Sequence, residues 1–246
     1  MRIIKPSQIA VFLMLFCVAT ALAIATAMIF PGRLPLGDFR GVALVVVALF
    51  FLYVYAISIY RLLLHFAPLK EGEIAEGSQQ EFVYHVYVLF YLILFYPVMR
   101  SGFPPAPLMR IFYLALGARL GKNTYSQGII HDPPFIDIGA NSVIGQYALL
   151  VPHVIEGQRI AHYAIRIGNN VTVGAHAVVL SGVTVGDNAI IATGAIVLKG
   201  THIGAGELWG GVPARRLKHP DQSSLPSRTT PPTSEVAVAV LPSRAH

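Results

Sequence analysis

A histidine and a glutamate stand three residues apart in the segment LLVPHVIEG, at His153 and Glu156. A neutral imidazole has a pKa near the working pH, so His153 could accept a proton from an attacking hydroxyl group. The carboxylate of Glu156 could accept a hydrogen bond from the other ring nitrogen and fix its tautomer, or it could be a solvated loop charge. The single cysteine, Cys17, lies in the N-terminal apolar segment. The pair therefore suits general-base chemistry and not thiol chemistry.

A six-residue repeat surrounds this pair and must position it. Such a repeat is the signature of a parallel β-helix, in which each hexad supplies one short strand and a corner. Three hexads make one turn of the coil. The regular series begins at Ile138, and Leu120 lies three hexads before it. The first turn is degenerate, with Ser126 and Asp132 at inner positions. The aliphatic residues that recur at every sixth place are Ile138, Ile144 and Leu150, then Ile167, Val173, Val179, Val185, Ile191, Val197 and Ile203.

The repeat is interrupted once, by the insertion EGQRIAHYAIR at residues 156–166. A regular solenoid tolerates a neutral loop at its surface, but loops on rigid scaffolds also commonly carry reactive groups. Here His153 precedes the insertion and His162 lies within it. The position of the two histidines favours a functional loop.

Residues 120–218 resemble the hexapeptide-repeat acyltransferases with a left-handed parallel β-helix, within them the branch of O-acetyltransferases acting on sugars and xenobiotics. The resemblance is carried by IGNNVTVGAHAVVLSGVTVGDNAIIATGAIVLKG, by GGVPARRL and by a histidine just before an extruded loop. It implies acetyl-CoA as the donor substrate and a homotrimer with the donor groove between neighbouring β-helices. We expect direct transfer without a covalent acyl-enzyme, because this region lacks a cysteine and a serine in a nucleophile-elbow context.

The same resemblance implies roles for particular residues. His153 matches the catalytic base of the family, and His176 is a weaker candidate near the active site. The small residues among the matching positions are also what a β-helix corner requires, and the cations could simply be solvated. The positions that match contacts with coenzyme A are Ala175, Thr193, Gly194, Lys199, Arg215 and Lys218.

The first hundred residues are apolar enough to form a membrane domain, residues 1–104. The chain of 246 residues is 54% hydrophobic and only 12% charged. Segments 9–30 and 42–60 are each long enough to cross a bilayer. A third apolar segment, 82–99, carries four tyrosines, which favour the water boundary, so two or three spans are expected. The first segment could instead be a signal peptide, but its length and the second span favour an anchor.

The β-helix is expected on the cytoplasmic side of the membrane. Schemes with two and with three spans both place Arg100, Arg110, Arg119 and Lys122 in the cytoplasm, as the positive-inside rule favours. The expected acetyl donor is also a cytosolic metabolite. We therefore expect a multi-pass protein of the bacterial inner membrane with a cytoplasmic catalytic domain.

Two further segments flank the β-helix. Residues 105–119 follow a proline-rich break and are predicted to form a helix that lies at the membrane surface, caps the open first coil, or does both. Residues 219–246 are rich in proline, serine and threonine and are predicted to be disordered.

Other functions fit the sequence less well. The net charge of +6 is dispersed and forms no basic face interleaved with aromatic residues, so membrane lipids and not nucleic acid are the expected anionic partner. Carbonic anhydrases with this fold need a closely spaced histidine pair that is missing here, and no metal is expected. A non-catalytic, membrane-tethered trimeric scaffold or lipid-binding protein is the alternative function. For an enzyme, membrane attachment favours a glycan or a lipid-linked sugar as the acceptor.

Overall fold

The computed structural model describes residues 2–29 and 37–217. The predicted disordered tail and Lys218 therefore lie outside the described residues. The helices are α1 (Pro6–Ile29), α2 (Arg40–Phe66, after a 3-10 turn at Gly37–Phe39), α3 (Gln79–Phe90), a π-helical segment (Tyr91–Phe95), α4 (Tyr96–Ser101) and α5 (Ala106–Leu116).

Three helical stretches are long and apolar enough to cross a membrane, judged by length and composition: Pro6–Ile29, Gly37–Phe66 and Gln79–Ser101. The first two are largely exposed, with 17% and 6% of their most apolar stretch buried, whereas the third is 56% buried. Its inner face packs against α1, where Phe12 meets Phe90 edge-on at 5.0 Å, and against α2. The third stretch is therefore an integral part of the protein core.

The sequence suggested that the tyrosines of this third stretch lie at a water boundary. Three of them instead lie inside the protein. Tyr84, Tyr87 and Tyr91 are buried, and neighbouring rings lie 6.5 and 6.3 Å apart. Residues three and four apart share one face of a helix. The spacing of the three tyrosines therefore directs them together towards the β-helix.

Eighteen strands follow or accompany these helices among the described residues. Strand β1 (Gly72–Glu73) precedes α3, and the others follow α5. They are β2 (Arg119–Leu120), β3 (Tyr125–Ser126), β4 (Ile129–Ile130), β5 (Ile136–Ile138), β6 (Val143–Ile144), β7 (Leu149–Val151), β8 (His153–Glu156), β9 (Arg159–His162), β10 (Ile165–Ile167), β11 (Thr172–Val173), β12 (Val178–Leu180), β13 (Thr184–Val185), β14 (Ile190–Ile191), β15 (Ile196–Val197), β16 (His202–Ile203), β17 (Leu208–Gly211) and β18 (Ala214–Leu217).

Most of these strands form the three parallel sheets of a β-helix. Sheet one has the order β16-β13-β10-β5-β2, sheet two β17-β14-β11-β6-β3 with β18 antiparallel at its edge, and sheet three β15-β12-β7-β4. The six-residue series is confirmed, because its members pair in register from coil to coil, as Ile138 does with Ile167 and Ile167 with Val185. These side chains are buried, and each buried aliphatic group stabilises the fold by about 1.5–3 kcal/mol.

The first coil differs from its predicted register. Ser126 pairs with Ile144 and is buried, as expected, but Ile130 and not Asp132 pairs with Leu150. The corner between sheets two and three is shorter in this coil, and Gly128 lies so close to the next coil that a Cβ atom would come within 2.5 Å of a backbone oxygen. Asp132 is thereby released from the coil interior. It lies in a turn with φ +44° instead.

Helix α5 closes the open end of the first coil. Arg110 donates hydrogen bonds to the carbonyl oxygens of Thr124 and Leu120, at 2.7 and 3.3 Å, and the buried Tyr113 hydroxyl donates to the Gly128 carbonyl at 2.8 Å. Helix α5, within the segment 105–119 that is predicted to lie at the membrane surface or cap the coil, thus contacts the first coil directly. The opposite face of α5 is apolar and exposed at Leu108, Ile111 and Leu114.

The insertion forms an antiparallel hairpin of β8 and β9. It begins at His153, three residues before the predicted start of the extruded loop. Strand β1 adds a third, antiparallel strand, with Gly72 opposite His162. The segment between α2 and α3, which contains β1, thus connects the hairpin to the helices.

Candidate functional site

The chemically reactive side chains gather at one corner of the β-helix, between sheet three and sheet one. We call it the hairpin corner and define it by His131, Asp132, His153 and Lys199. His131 and Asp132 follow β4 in the first coil, and His153 begins the hairpin after the second coil. The short corner of the first coil and the departure of the hairpin together bring these residues side by side.

His153 and Asp132 form a hydrogen-bonded pair. The distance from Nδ1 of His153 to Oδ2 of Asp132 is 2.5 Å, and Oδ1 of the same carboxylate accepts a hydrogen bond from the Tyr87 hydroxyl at 2.8 Å. Asp132 is buried, while the His153 side chain retains 27% of its exposure. With the proton of the neutral ring held on Nδ1 by the carboxylate, Nε2 is left as the free base.

The negative charge of Asp132 and the positive charge of protonated His153 stabilise each other. Burial alone would raise the pKa of Asp132, but the hydrogen bond and charge of His153 lower it to about 2. Burial alone would lower the pKa of His153, but the hydrogen bond and charge of Asp132 outweigh it and raise that pKa above its ordinary value. The carboxylate is therefore ionised at neutral pH and stabilises the imidazolium that forms when Nε2 takes a proton.

His131 forms a wall beside the pair. Its ring lies perpendicular to that of His153, with ring centres 5.6 Å apart. Its Nδ1 is 2.9 Å from the Tyr91 hydroxyl, and Tyr96 lies against its face at 5.7 Å. Burial lowers the pKa of His131, so the ring stays neutral beside the ionised Asp132.

His162, the other histidine of the insertion, is in a different environment. It is fully buried and stacks on Phe135, with ring centres 4.4 Å apart and an interplanar angle of 9°. Neither ring nitrogen has a hydrogen-bond partner among the described residues. Burial lowers the pKa of His162, which makes it a neutral packing residue.

Of the two interpretations of Glu156, the structure favours the exposed charge. Its carboxylate contacts the Lys199 ammonium and lies 3.6 Å from the Arg159 guanidinium. The predicted orienting role is wrong for this geometry, since residues an odd number apart on a strand point to opposite faces. Asp132 orients His153 instead. The sequence signal that could have identified it is the charged residue in the irregular first coil, next to His131.

The residues matched to coenzyme A contacts divide between two corners. Ala175, Thr193 and Gly194 meet at the corner between sheets two and three, where the Gly194 N–H donates to the Ala175 carbonyl at 2.9 Å. We call this the small-residue corner. Arg215 is exposed on β18, at the edge of sheet two. Lys199 lies at the hairpin corner, on the far side of sheet three, so one chain does not bring it to the other residues.

Sheet three, which separates the two corners, has an aliphatic outer face. Side chains alternate across a strand, and the residues on either side of each buried member point outwards. On sheet one the equivalent positions are mostly polar: Arg119, Asp137, Arg166, Thr184 and His202. On sheet three they are aliphatic except for His131: Ile129, Leu149, Val151, Val178, Leu180, Ile196 and Leu198.

The hairpin corner does not resemble a metal centre. Within residues 2–29 and 37–217, no three side chains of histidine, cysteine, aspartate or glutamate are grouped as ligands of one ion. The hydrogen-bonded pair of His153 and Asp132 is suited to proton transfer.

The coils match known transferases over part of their length. Residues 164–199 match the family model for bacterial transferase hexapeptides (six repeats). A stretch of 123 residues, 49% of this chain, is 30% identical to delta-poly-L-ornithine synthetase of Acinetobacter baumannii (strain AB307-0294) and spans 9% of that protein. The hexapeptide repeat of bacterial transferases is therefore present in the coils that carry the small-residue corner and Lys199, whereas His131, Asp132 and His153 lie outside the matched residues.

Acetyltransferases are among the similar solved structures. A hexapeptide-repeat acetyltransferase from Vibrio cholerae O1 biovar eltor, complexed with acetyl-CoA, is 26% identical, with coverage of 42% of this chain and 60% of that one and a TM-score of 0.38. A galactoside acetyltransferase in complex with coenzyme A is 30% identical, with coverage of 42% and 55% and a TM-score of 0.36. The chain spans less than two thirds of either protein.

Proposed function

We propose that the protein is a membrane-bound O-acyltransferase that transfers acetyl from acetyl-CoA to a hydroxyl group of a membrane-associated glycan or lipid-linked sugar. The observation that carries the proposal is the pair of His153 and Asp132 at the corner of a hexapeptide-repeat coil. A partly exposed imidazole whose Nδ1 faces a buried carboxylate is equipped to deprotonate a hydroxyl group.

The proposed reaction is a direct transfer. Nε2 of His153 removes the acceptor proton while the hydroxyl oxygen attacks the thioester carbonyl. The tetrahedral intermediate then collapses, the carbon–sulfur bond breaks, and the leaving thiolate takes the proton back from the imidazolium. Asp132 stabilises that imidazolium in between and keeps the ring in one tautomer. The base is regenerated, and no acyl-enzyme is formed.

A trimer would complete this site. In one chain, His153 and the small-residue corner lie at opposite edges of sheet three. The outer face of this sheet is aliphatic. In a cyclic assembly each chain presents one surface to the next and a different surface to the previous one. Packing through sheet three would place the hairpin corner of one chain beside the small-residue corner of its neighbour, with Lys199 and Arg215 available to the phosphates of coenzyme A.

The proposed acceptor class rests on the helices. Tyr87 of the third apolar stretch contacts the catalytic pair through Asp132, and Phe103, Leu108 and Ile111, which follow this stretch in the chain, are exposed apolar residues. An active site in this position would lie at the surface of a membrane, where head groups of lipid-linked sugars are found. The proposed location is the cytoplasmic membrane of a bacterium, with the β-helix on the side that contains acetyl-CoA.

Transfer of label in membranes tests the proposal. Membranes that contain the wild-type chain are incubated with acetyl-labelled acetyl-CoA, and the lipid and glycan fractions are separated. We expect base-labile label in one fraction with the wild type, and its loss with His153→Asn. The matched control is His202→Asn, since His202 is an exposed histidine elsewhere on the coil. Binding of no coenzyme A, together with no effect of His153→Asn, would favour the non-catalytic scaffold.

A further inference from the structure

We propose that Tyr87, on a helix long and apolar enough to cross a membrane, is a positioning residue of the active site that fixes the Asp132 carboxylate for His153. The inference rests on the proposed function and extends it. It gives the third apolar stretch a role in the catalytic site in addition to its packing in the protein core.

The two oxygens of the carboxylate have different partners. Oδ2 faces Nδ1 of His153 at 2.5 Å, and Oδ1 accepts the Tyr87 hydroxyl at 2.8 Å. Asp132 is 4% exposed and Tyr87 is fully buried. Water has little access to replace either contact, so removal of the phenol hydroxyl leaves a buried oxygen without a donor.

The backbone of Asp132 does not itself determine where the carboxylate points. The residue lies after the end of β4, with φ +44°, in a region that non-glycine residues adopt uncommonly. It belongs to a turn and not to the parallel ladder that fixes the neighbouring strands. The carboxylate therefore depends on its side-chain partners for orientation.

Tyr87, in contrast, is held rigidly. Its ring lies 5.6 Å from that of Tyr60 on α2, and 6.5 and 6.3 Å from those of Tyr84 and Tyr91 along its own helical face. The hydroxyl position is thus set by the packing of two apolar helices. Through Tyr87, that packing is transmitted to Asp132 and then to His153.

Removal of the Tyr87 hydroxyl should change the proton affinity of His153 as well as the orientation of the Asp132 carboxylate. The hydroxyl of Tyr87 stabilises the negative charge of Asp132 and so moderates its attraction for the His153 imidazolium. Without the hydroxyl, the carboxylate becomes a stronger acceptor. The other titratable groups around His153, namely His131, His162, Tyr84 and Tyr91, keep their places. The pKa of His153 should therefore rise, and less free base should be present at a given pH.

Kinetics of the full-length Tyr87→Phe variant in detergent, with extracted membranes as the acceptor source, test the inference. We expect kcat to fall by about 10-fold or more and the acidic limb of kcat/KM to move to higher pH, with the donor KM little changed. Tyr113→Phe is the matched control, because it also removes a buried phenol hydrogen bond, to the Gly128 carbonyl. It should lower the melting temperature without moving the acidic limb. An equal effect of both variants on the pH profile, or no effect of Tyr87→Phe, would overturn the inference.

A second readout does not need the acceptor. In protein labelled with ¹⁵N-histidine, the Nδ1 proton of His153 is identified by its loss in His153→Asn, and its chemical shift should move in Tyr87→Phe but not in Tyr113→Phe. An unchanged shift overturns the positioning role even if activity falls. If the shift moves while His153→Asn still transfers acetyl, the proposed catalytic function fails and the inference fails with it, although the contact itself stands.

Discussion

His153 and His162 face each other as paired residues of the β8–β9 hairpin, yet of the two only His153 has a hydrogen-bond partner for its ring within residues 2–29 and 37–217. His153 meets the buried Asp132 carboxylate and keeps part of its surface exposed. His162 is enclosed against Phe135 and Tyr84. The environments thus distinguish the two histidines that the sequence places at and within the insertion, and they favour His153 as the base of the proposed reaction.

Substitution of the two histidines should therefore have unequal effects. His153→Asn should lower kcat by about 10²- to 10⁴-fold, the usual contribution of a positioned base. His162→Leu should retain most of the activity, because it replaces a buried ring without hydrogen bonds by an apolar side chain of similar volume. Both are measured by acetyl transfer at saturating donor. Loss of activity in His162→Leu, with retention in His153→Asn, would move the base into the loop.

Removal of the Asp132 charge should change the pH dependence. The ionised carboxylate raises the pKa of His153, so Asp132→Asn should lower that pKa and move the acidic limb of kcat/KM to lower pH. The plateau rate should fall at the same time, by about 10-fold or more, because the asparagine no longer stabilises the imidazolium.

Asp137→Asn is the control for this substitution. Asp137 is a partly exposed residue of the second coil that pairs with Arg119 at 2.9 Å. Its replacement should leave both the plateau and the acidic limb in place. A limb that moves to higher pH in Asp132→Asn would contradict the assignment of Asp132 as the partner of His153.

The regular coils could be predicted from the sequence because each inner position repeats the same physical requirement. An aliphatic side chain must fill the interior at every sixth residue, and the residues from Ile138 to Ile203 do so. Asp132 was misplaced because the first coil shortens a corner at Gly128, and only the contact with the next coil reveals that shortening. A periodic pattern extrapolated through an irregular coil misplaces the residues between the shortened corner and the next regular strand, here Asp132, while Leu120, Ser126 and Ile138 keep the predicted register.

The partners of the site were harder to predict for a different reason. Glu156 is near His153 in sequence, but strand geometry points it towards Lys199. Tyr87 is far from His153 in sequence, and its buried face follows from helix packing. The spacing of Tyr84, Tyr87 and Tyr91 marks that face, but the same spacing in an apolar segment also suits a boundary with lipid. Only the fold distinguishes these two environments.

Lys199 and its partner Glu156 should affect donor binding with opposite signs. If Lys199 binds a phosphate of coenzyme A, Lys199→Ala should raise the donor KM more than it changes kcat, since the phosphates are remote from the reacting carbon. Glu156→Gln should lower the donor KM, because it releases the ammonium from a competing carboxylate. Arg215→Ala should act in the same direction as Lys199→Ala. Initial rates over a range of acetyl-CoA concentrations measure all three, and equal donor KM values throughout would remove these residues from the site.

The proposed trimer predicts that two inactive variants can restore activity together. In the proposed assembly, His153 of one chain works with the small-residue corner of the next. Thr193→Arg should obstruct that corner without loss of the fold, since Thr193 is exposed. Trimers reassembled from equal amounts of His153→Asn and Thr193→Arg should regain about a quarter of the wild-type sites, those in which an intact histidine meets an intact corner across a heterologous interface. Val178→Glu in both variants introduces a charge into the aliphatic face of sheet three and should abolish the recovery. Activity that stays at the level of the separate variants, in mixed trimers verified by mass, would place the whole site within one chain.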